Sequence, residues 1–196
     1  MAINDNMPMP DRLIEVAVKL FAEKGYDATS VADIVETAGV TKGALYHYYT
    51  SKDELLSQIH RRFITAEIKD AQRIMAQGWG PRETLRHLII SLVESIVSYR
   101  FEVTVFFREM HRLPSSVFDE IKQARDDYAG FFEKTIRQGQ ELGEFRHDSH
   151  PRMMTLALFG ACNWMYTWYN PDGPFSARKI GEQLADIIMD GLSCPG

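Results

Sequence analysis

Ser30-Val31-Ala32-Asp33-Ile34-Val35-Glu36-Thr37-Ala38-Gly39-Val40-Thr41-Lys42-Gly43-Ala44-Leu45-Tyr46-His47-Tyr48-Tyr49 is the stretch whose reading decides the fold. Val31, Ile34, Val35 and Ala38 recur at helical spacing and mark a short helix. Gly39 stops it, supplying a turn conformation that a residue with a Cβ adopts only at a cost. Val40 is placed to pack between two helices, and Thr41 to cap a second one running to about Tyr48. Helix, glycine turn, helix is the layout of a helix-turn-helix. Recognition helices meet base edges with their N-terminal residues. Here that end carries Thr41, Lys42 and Gly43, and Gly43 lets the backbone come close to DNA. Tyr46, His47 and Tyr48 follow one turn later with groups that donate to phosphates, while Leu45 faces the core. Thr29 or Ser30 caps the first helix, whose N-terminus is an anion site. Lys52 is placed to clamp a flanking phosphate. The plainer reading stands beside this one: Tyr46 and Tyr49 as core aromatics, Lys42 as a solvated lysine, Thr41 as a cap and nothing more.

Outward from this motif the apolar pattern stays helical. Leu13, Val16, Ala17, Leu20 and Phe21 predict a helix over about Asp11–Lys24, stopped at Gly25. Ser51-Lys52-Asp53-Glu54 reads as a capping box opening a long helix to about Met75. Beyond Gly78 and Gly80-Pro81, helices are expected at about Pro81–Ser98, Glu102–Arg112, Ser115–Leu142, His150–Tyr169 and Ser176–Leu192. No alternating stretch is long enough for a sheet. The expected fold is therefore all-α. A three-helix N-terminal head over residues 8–68, with its helix-turn-helix at about 30–49, joins a larger helical body over residues 77–194.

Gly25-Tyr26-Asp27-Ala28-Thr29-Ser30-Val31, Ile34, Ala38 through Tyr49 and Ser51-Lys52-Asp53-Glu54-Leu55 together resemble the TetR family of bacterial regulators across about residues 11–60. The family pattern usually has Phe where Tyr49 stands. The resemblance implies a DNA-binding head, a body that binds a small inducer, and a homodimer built on the last two helices. It implies a repressor on a palindromic operator in duplex DNA. A looser likeness covers about residues 100–192. Gly143-Glu144-Phe145-Arg146, Asn163-Trp164, Trp168-Tyr169, Pro171 and Gly173-Pro174 resemble the branch controlling fatty-acid, phenylacetate or sterol-ring degradation, induced by acyl-coenzyme A thioesters. That likeness implies an effector site, for which Phe106, Phe107, Arg108, Asn163, Trp164 and Trp168 are the candidates. Trp164 and Trp168 would lie one turn apart on one helix face and wall a pocket with Phe106 and Phe107. Asn163 would offer a polar handle, and Arg108, Arg112 and Arg146 would meet coenzyme phosphates. Equally, the tryptophans read as core or dimer residues and the arginines as solvated or ion-paired. A different hydrophobic or aromatic effector fits the same pattern.

In the last helix Ile180, Leu184, Ile187, Ile188 and Leu192 form an apolar stripe with Gly181, Ala185 and Gly191 beside it. The segment His150–Tyr169 is apolar nearly all round, which suits cover by its own body on one face and by a partner on the other. Both features are consistent with a two-fold, four-helix interface.

The charge balance runs against the motif. The chain of 196 residues carries a net charge of −5, and residues 1–50 hold four basic against seven acidic side chains, or −3. Phosphate contacts set nucleic-acid affinity and its salt dependence, so few lysine or arginine contacts and a shallow salt slope are expected. Cys162 and Cys194 make no CxxC pair, which suits free thiols in a reducing cytoplasm. Residues 1–10 show no basic or apolar leader pattern. The most apolar stretch, Met153–Tyr169, is shorter than the ~20 residues of a membrane span, so no membrane partner is expected. GxSxG, HExxH, P-loop and GxGxxG are absent, so the chain reads as no enzyme and needs no cofactor. His147-Asp148-Ser149-His150 is a loop rather than a metal site. The competing class is an interaction adaptor that keeps the helix-turn-helix without reading DNA; only the acidic head favours it.

Overall fold

The computed structural model describes residues 7–193, and among these no strand occurs. Helices run α1 (Met9–Lys24), α2 (Val31–Ala38), α3 (Lys42–Tyr48), α4 (Lys52–Met75), α5 (Pro81–Ser98), α6 (Arg100–Glu109), α7 (Ser115–Glu141), α8 (Pro151–Asn163), α9 (Met165–Trp168) and α10 (Ala177–Leu192), with a 3-10 turn at Met110–Arg112. Among the described residues no helix is long and apolar enough to cross a membrane. The chain divides into two compact units, Met1–Phe63 with Phe101–Ile121, and Ile64–Arg100 with Lys122–Gly196.

The first unit is built on α1, α2 and α3. Leu13, Ala17, Ile34, Ala38 and Leu45 have no exposed surface, and each large one stabilises the fold by about 1.5–3 kcal/mol. Helix α1 starts at Met9, before the expected Asp11, because Pro10 fits the first turn, where its missing N–H has no intrahelical partner to lose. Ser30, not Thr29, caps α2: its hydroxyl accepts from Asp33 N and the Asp33 carboxylate accepts from Ser30 N. Gly39 ends α2 at φ 67°, the left-handed conformation its position demands. Thr41 caps α3 by accepting from Ala44 N at 3.2 Å. The box at the start of α4 is displaced by one residue. Ser51 Oγ accepts from Glu54 N, but the Glu54 carboxylate accepts from Thr50 N and Oγ1. Tyr49 packs as a nearly buried ring, and its hydroxyl donates to the Pro10 carbonyl at 3.1 Å, a bond that phenylalanine would not make. Helix α6 joins this unit by aromatic packing. Phe106 stacks on His60 and meets the edge of Phe63, both at 5.2 Å between ring centroids.

In the second unit α10 lies along α5. A Cβ on Gly181 would stand 3.2 Å from Ile90 Cα, so glycine is what permits the approach. The buried side of α10 is therefore Gly181, Ala185, Met189 and Leu192. Ile180, Leu184 and Ile188 are not on it in full, and Ile187 stands out at 67% exposure. The expected helix His150–Tyr169 is two helices, because it tightens at Trp164. Thr167 directs both its N–H and its hydroxyl at the Trp164 carbonyl, replacing the α-helical pattern. Gly143-Glu144-Phe145-Arg146 is a structural turn. Glu144 N and Phe145 N donate to the Gly139 carbonyl, Arg146 N to the Leu192 carbonyl, and Phe145 is fully buried. Cys162 is buried, which pushes its thiol pKa up to about 12; Cys194 lies outside the described residues.

A buried carboxyl sits in this second core. Glu67 of α4 is 4% exposed and accepts from the hydroxyls of Ser95 and Tyr128. Burial outweighs those two bonds and raises its pKa from 4.5 to about 7. The folded state therefore holds the proton more tightly than the unfolded chain. Stability from this group is full below about pH 4.5, falls as pH rises toward 7, and is level above it. Glu67→Gln keeps the shape and removes the titration. We expect the variant to match the parent at about pH 4.5 and to exceed it by about 1–3 kcal/mol at about pH 8. Urea unfolding at both pH values checks this; an equal difference at the two would show that the carboxyl does not titrate in the fold.

Candidate nucleic-acid interface

The exposed polar end of α3 is the feature the fold displays most clearly. Thr41, Lys42 and Gly43 are exposed at its N-terminus, followed by Tyr46 (51% exposed), His47 and Tyr48. The buried Leu45 anchors the opposite side of the helix. Tyr48 and His47 meet edge to face at 4.8 Å, which orders two adjacent donors on one surface. Gly43 has open space: an added Cβ would meet only Thr41 Oγ1 at 3.7 Å. Ser30 and the first turn of α2 are exposed or half-buried beside it in sequence.

Two expected contacts have other work. Thr29 is fully buried, and its hydroxyl donates to the Gly25 carbonyl at 2.8 Å, closing the C-terminal turn of α1. Lys52 turns inward as well. Its ammonium donates to the carbonyls of Tyr26 at 2.8 Å and Thr29 at 2.9 Å, and sits 4.1 Å from the Tyr26 ring centroid. The buried Thr29 is not left to reach a phosphate, while Lys52, half-buried, spends two of its three N–H donors on the α1–α2 connection. Sequence periodicity cannot separate these cases, because a capping threonine and a loop-tying threonine look alike.

Three of the seven acidic side chains of this region are committed to internal bonds. Asp11 pairs with Arg62 at 3.1 Å and Asp27 with Arg112 at 2.6 Å. Asp33 is held below the ordinary carboxylate range by its bonds from Ser30. Arg62 and Arg112 lie beyond residue 50, so a count over the first fifty residues misses the cations that offset these carboxylates.

The candidate effector residues do not fall in one unit. Phe106, Phe107 and Arg108 belong to the first, Asn163, Trp164 and Trp168 to the second. Phe106 is buried under His60 and Phe63, whereas Phe107 and Arg108 are exposed. Asn163 ends α8 half-buried. Trp164 and Trp168 are 63% and 52% exposed, on the outward side of α8–α9 with Met153 and Leu156. Arg112 is paired with Glu109 and Asp27, and Arg146 with Asp148. Among the described residues no three His, Cys, Asp or Glu side chains come together as a metal site.

Comparison with known proteins now bears on this geometry. Residues 13–59 match the model of bacterial regulatory proteins of the tetR family, and residues 78–192 match that of the tetracyclin repressor-like C-terminal domain. The chain belongs to the TetR family. It is similar to the HTH-type transcriptional repressor KstR2 of Mycobacterium tuberculosis, at 30% identity over 185 residues covering 94% of this chain and 92% of that one. The solved structure of that ketosteroid transcriptional regulator matches with a TM-score of 0.89 at 28% identity, covering 99% of each chain. The TetR-family regulator PfmR of Thermus thermophilus matches with a TM-score of 0.87 at 29% identity, over 94% of this chain and 100% of that one. The protein is thus a DNA-binding transcription regulator of an all-helical TetR type, and the family is not one of enzymes.

Proposed function

We propose that this TetR regulator is a cytoplasmic homodimeric repressor that holds a palindromic operator in duplex DNA and lets go when a small molecule binds. The observation that carries the reading is the N-terminus of α3, where exposed Thr41, Lys42 and Gly43 precede exposed Tyr46, His47 and Tyr48. These six are the proposed DNA contacts, with Lys42 the one lysine among them. Selection of duplexes from a random library, followed by gel shifts across a salt series, tests it. A palindrome should be enriched, and the slope of log affinity on log salt should be no steeper than about −6, since each neutralised phosphate contributes about 0.9. No enrichment at low salt would favour the adaptor reading.

The dimer is proposed through α8 and α10. Met153, Leu156, Trp164, Trp168 and Ile187 stand outward on or just after these helices, and an apolar patch of that kind marks an association surface. On this proposal the two exposed tryptophans serve the partner rather than an effector. The effector is proposed to be an acyl-coenzyme A thioester. The sequence likeness of residues 100–192 to the thioester-induced branch supports it. Addition of thioesters of stated chain length, against free coenzyme A, to the selected protein–DNA complex tests the class. Release requires different affinities for the effector in the DNA-bound and free states, and α4 contributes residues to both units.

A further inference from the structure

Tyr26 lies in the connection between α1 and α2 and is 6% exposed. Its hydroxyl donates to the Asp53 carboxylate, and Lys52 holds its ring and its carbonyl from α4. A second cation reaches the same ring from much further along the chain. The Arg112 guanidinium stands 5.5 Å from the ring centroid and donates through Nη2 to Asp27 at 2.6 Å. It also donates through Nε to Glu109 at 2.7 Å, a carboxylate one turn back whose side chain is only 13% exposed. Arg112 falls within the stretch that matches the family's C-terminal domain, yet it belongs to the first compact unit.

We propose that Arg112 is a positioning residue for DNA reading: by holding Asp27 and the Tyr26 ring it fixes the α1–α2 connection, and with it the Ser30 cap of the α2–α3 pair. The inference rests on the DNA-binding reading above. An isolated exposed ion pair contributes little, because two long side chains must be ordered for a weak attraction in water. Here Glu109 already orients the guanidinium, and one cation makes two charge-assisted bonds together with an aromatic contact. The residue it acts on, Asp27, is three positions before the α2 cap. Small displacements there move the first helix of the motif without opening the core around Leu45. Arginine suits the task better than lysine, because a planar guanidinium can bond a carboxylate while lying against a ring.

The experiment compares Arg112→Gln, Asp27→Asn and the double variant in the full chain, on the duplex selected by the parent protein and on a scrambled duplex. Arg112→Gln should weaken the selected duplex about three- to tenfold while leaving the scrambled duplex and the thermal midpoint unchanged. The double variant should lose no more than the larger of the two single losses, because both changes break one contact. Amide hydrogen exchange over residues 26–33 should accelerate in Arg112→Gln. Parent-like affinity for the selected duplex, or an additive cycle, overturns the inference. A parent protein that selects no duplex overturns the DNA-binding reading instead. In that case unaltered exchange over residues 26–33 still overturns the clamp.

Discussion

Gly43→Glu is expected to abolish operator binding, by about a hundredfold or more, without unfolding the protein. The fold tolerates the change: a Cβ at Gly43 meets only Thr41 Oγ1 at an ordinary 3.7 Å. The helix is not weakened by it, since glycine is a poorer helix former than glutamate. A carboxylate in the first turn also suits the helix dipole. The cost arises only on DNA. If α3 enters the major groove N-terminus first, the new carboxylate faces phosphates and acceptor-rich base edges. Like charges opposed across an interface cost several kcal/mol, and a dimer places two of them on each operator. Loss of about 2.8 kcal/mol is already a hundredfold in affinity. Gly43→Ala is the control, since it carries the helix gain without the charge. Gel shifts on the selected duplex, paired with thermal unfolding, separate the two effects. Parent-like binding by Gly43→Glu would place the DNA contact somewhere other than this end of α3.

The motif on which that prediction stands was legible because each of its signals is local. Ser30, Gly39, Thr41 and Leu45 act through the backbone within four residues or through a helix face, and periodicity and capping chemistry read both. The same locality explains what was not legible. Lys52 and Thr29 face inward because of the neighbouring Tyr26 loop, not because of anything in their own helices. Arg112 is 85 residues from Asp27, and no spacing rule links them. The division into a head at 8–68 and a body at 77–194 follows chain order, whereas in space residues 101–121 group with the first unit. The break at Trp164 escaped because a threonine in an apolar helix carries no fixed sign. Thr167 tightens the helix only because its hydroxyl takes the Trp164 carbonyl.

These long-range contacts also change what the acidic composition means. Residues 1–50, at net charge −3, look ill-suited to DNA when counted alone. In the fold, Asp11 and Asp27 are paired with arginines from α4 and the 3-10 turn, and Asp33 is committed to capping α2. Pairing does not create a basic surface. It lowers the field that opposes approach, and it leaves recognition to the hydroxyl, imidazole and backbone donors of α3. That is the physical ground for a shallow salt dependence: the count of released counterions follows the count of cations on phosphates.

If the proposed dimer forms through α8 and α10, Ile187→Glu is expected to leave a monomer at micromolar concentration. Within one protomer the change touches little, because Ile187 is 67% exposed on the side of α10 away from Gly181 and Ala185. Surface substitutions of that kind alter stability by only about 0.5 kcal/mol. In an isologous interface each residue appears twice, so each dimer would bury two carboxylates with no partner built for them. An uncompensated buried charge costs several kcal/mol. Two of them shift the dimer dissociation constant by about a thousandfold or more. Asp190, exposed three residues further along the same helix, aggravates the effect, while Asp186 is paired with Arg86. Sedimentation velocity measures the association state, and the selected operator duplex reads the consequence. A monomer presents one head at a time, so affinity for the full palindrome should fall to that for a half-site. A variant that remains dimeric would move the partner's seat away from Ile187, and Trp164 and Trp168 would then return as candidates for the effector.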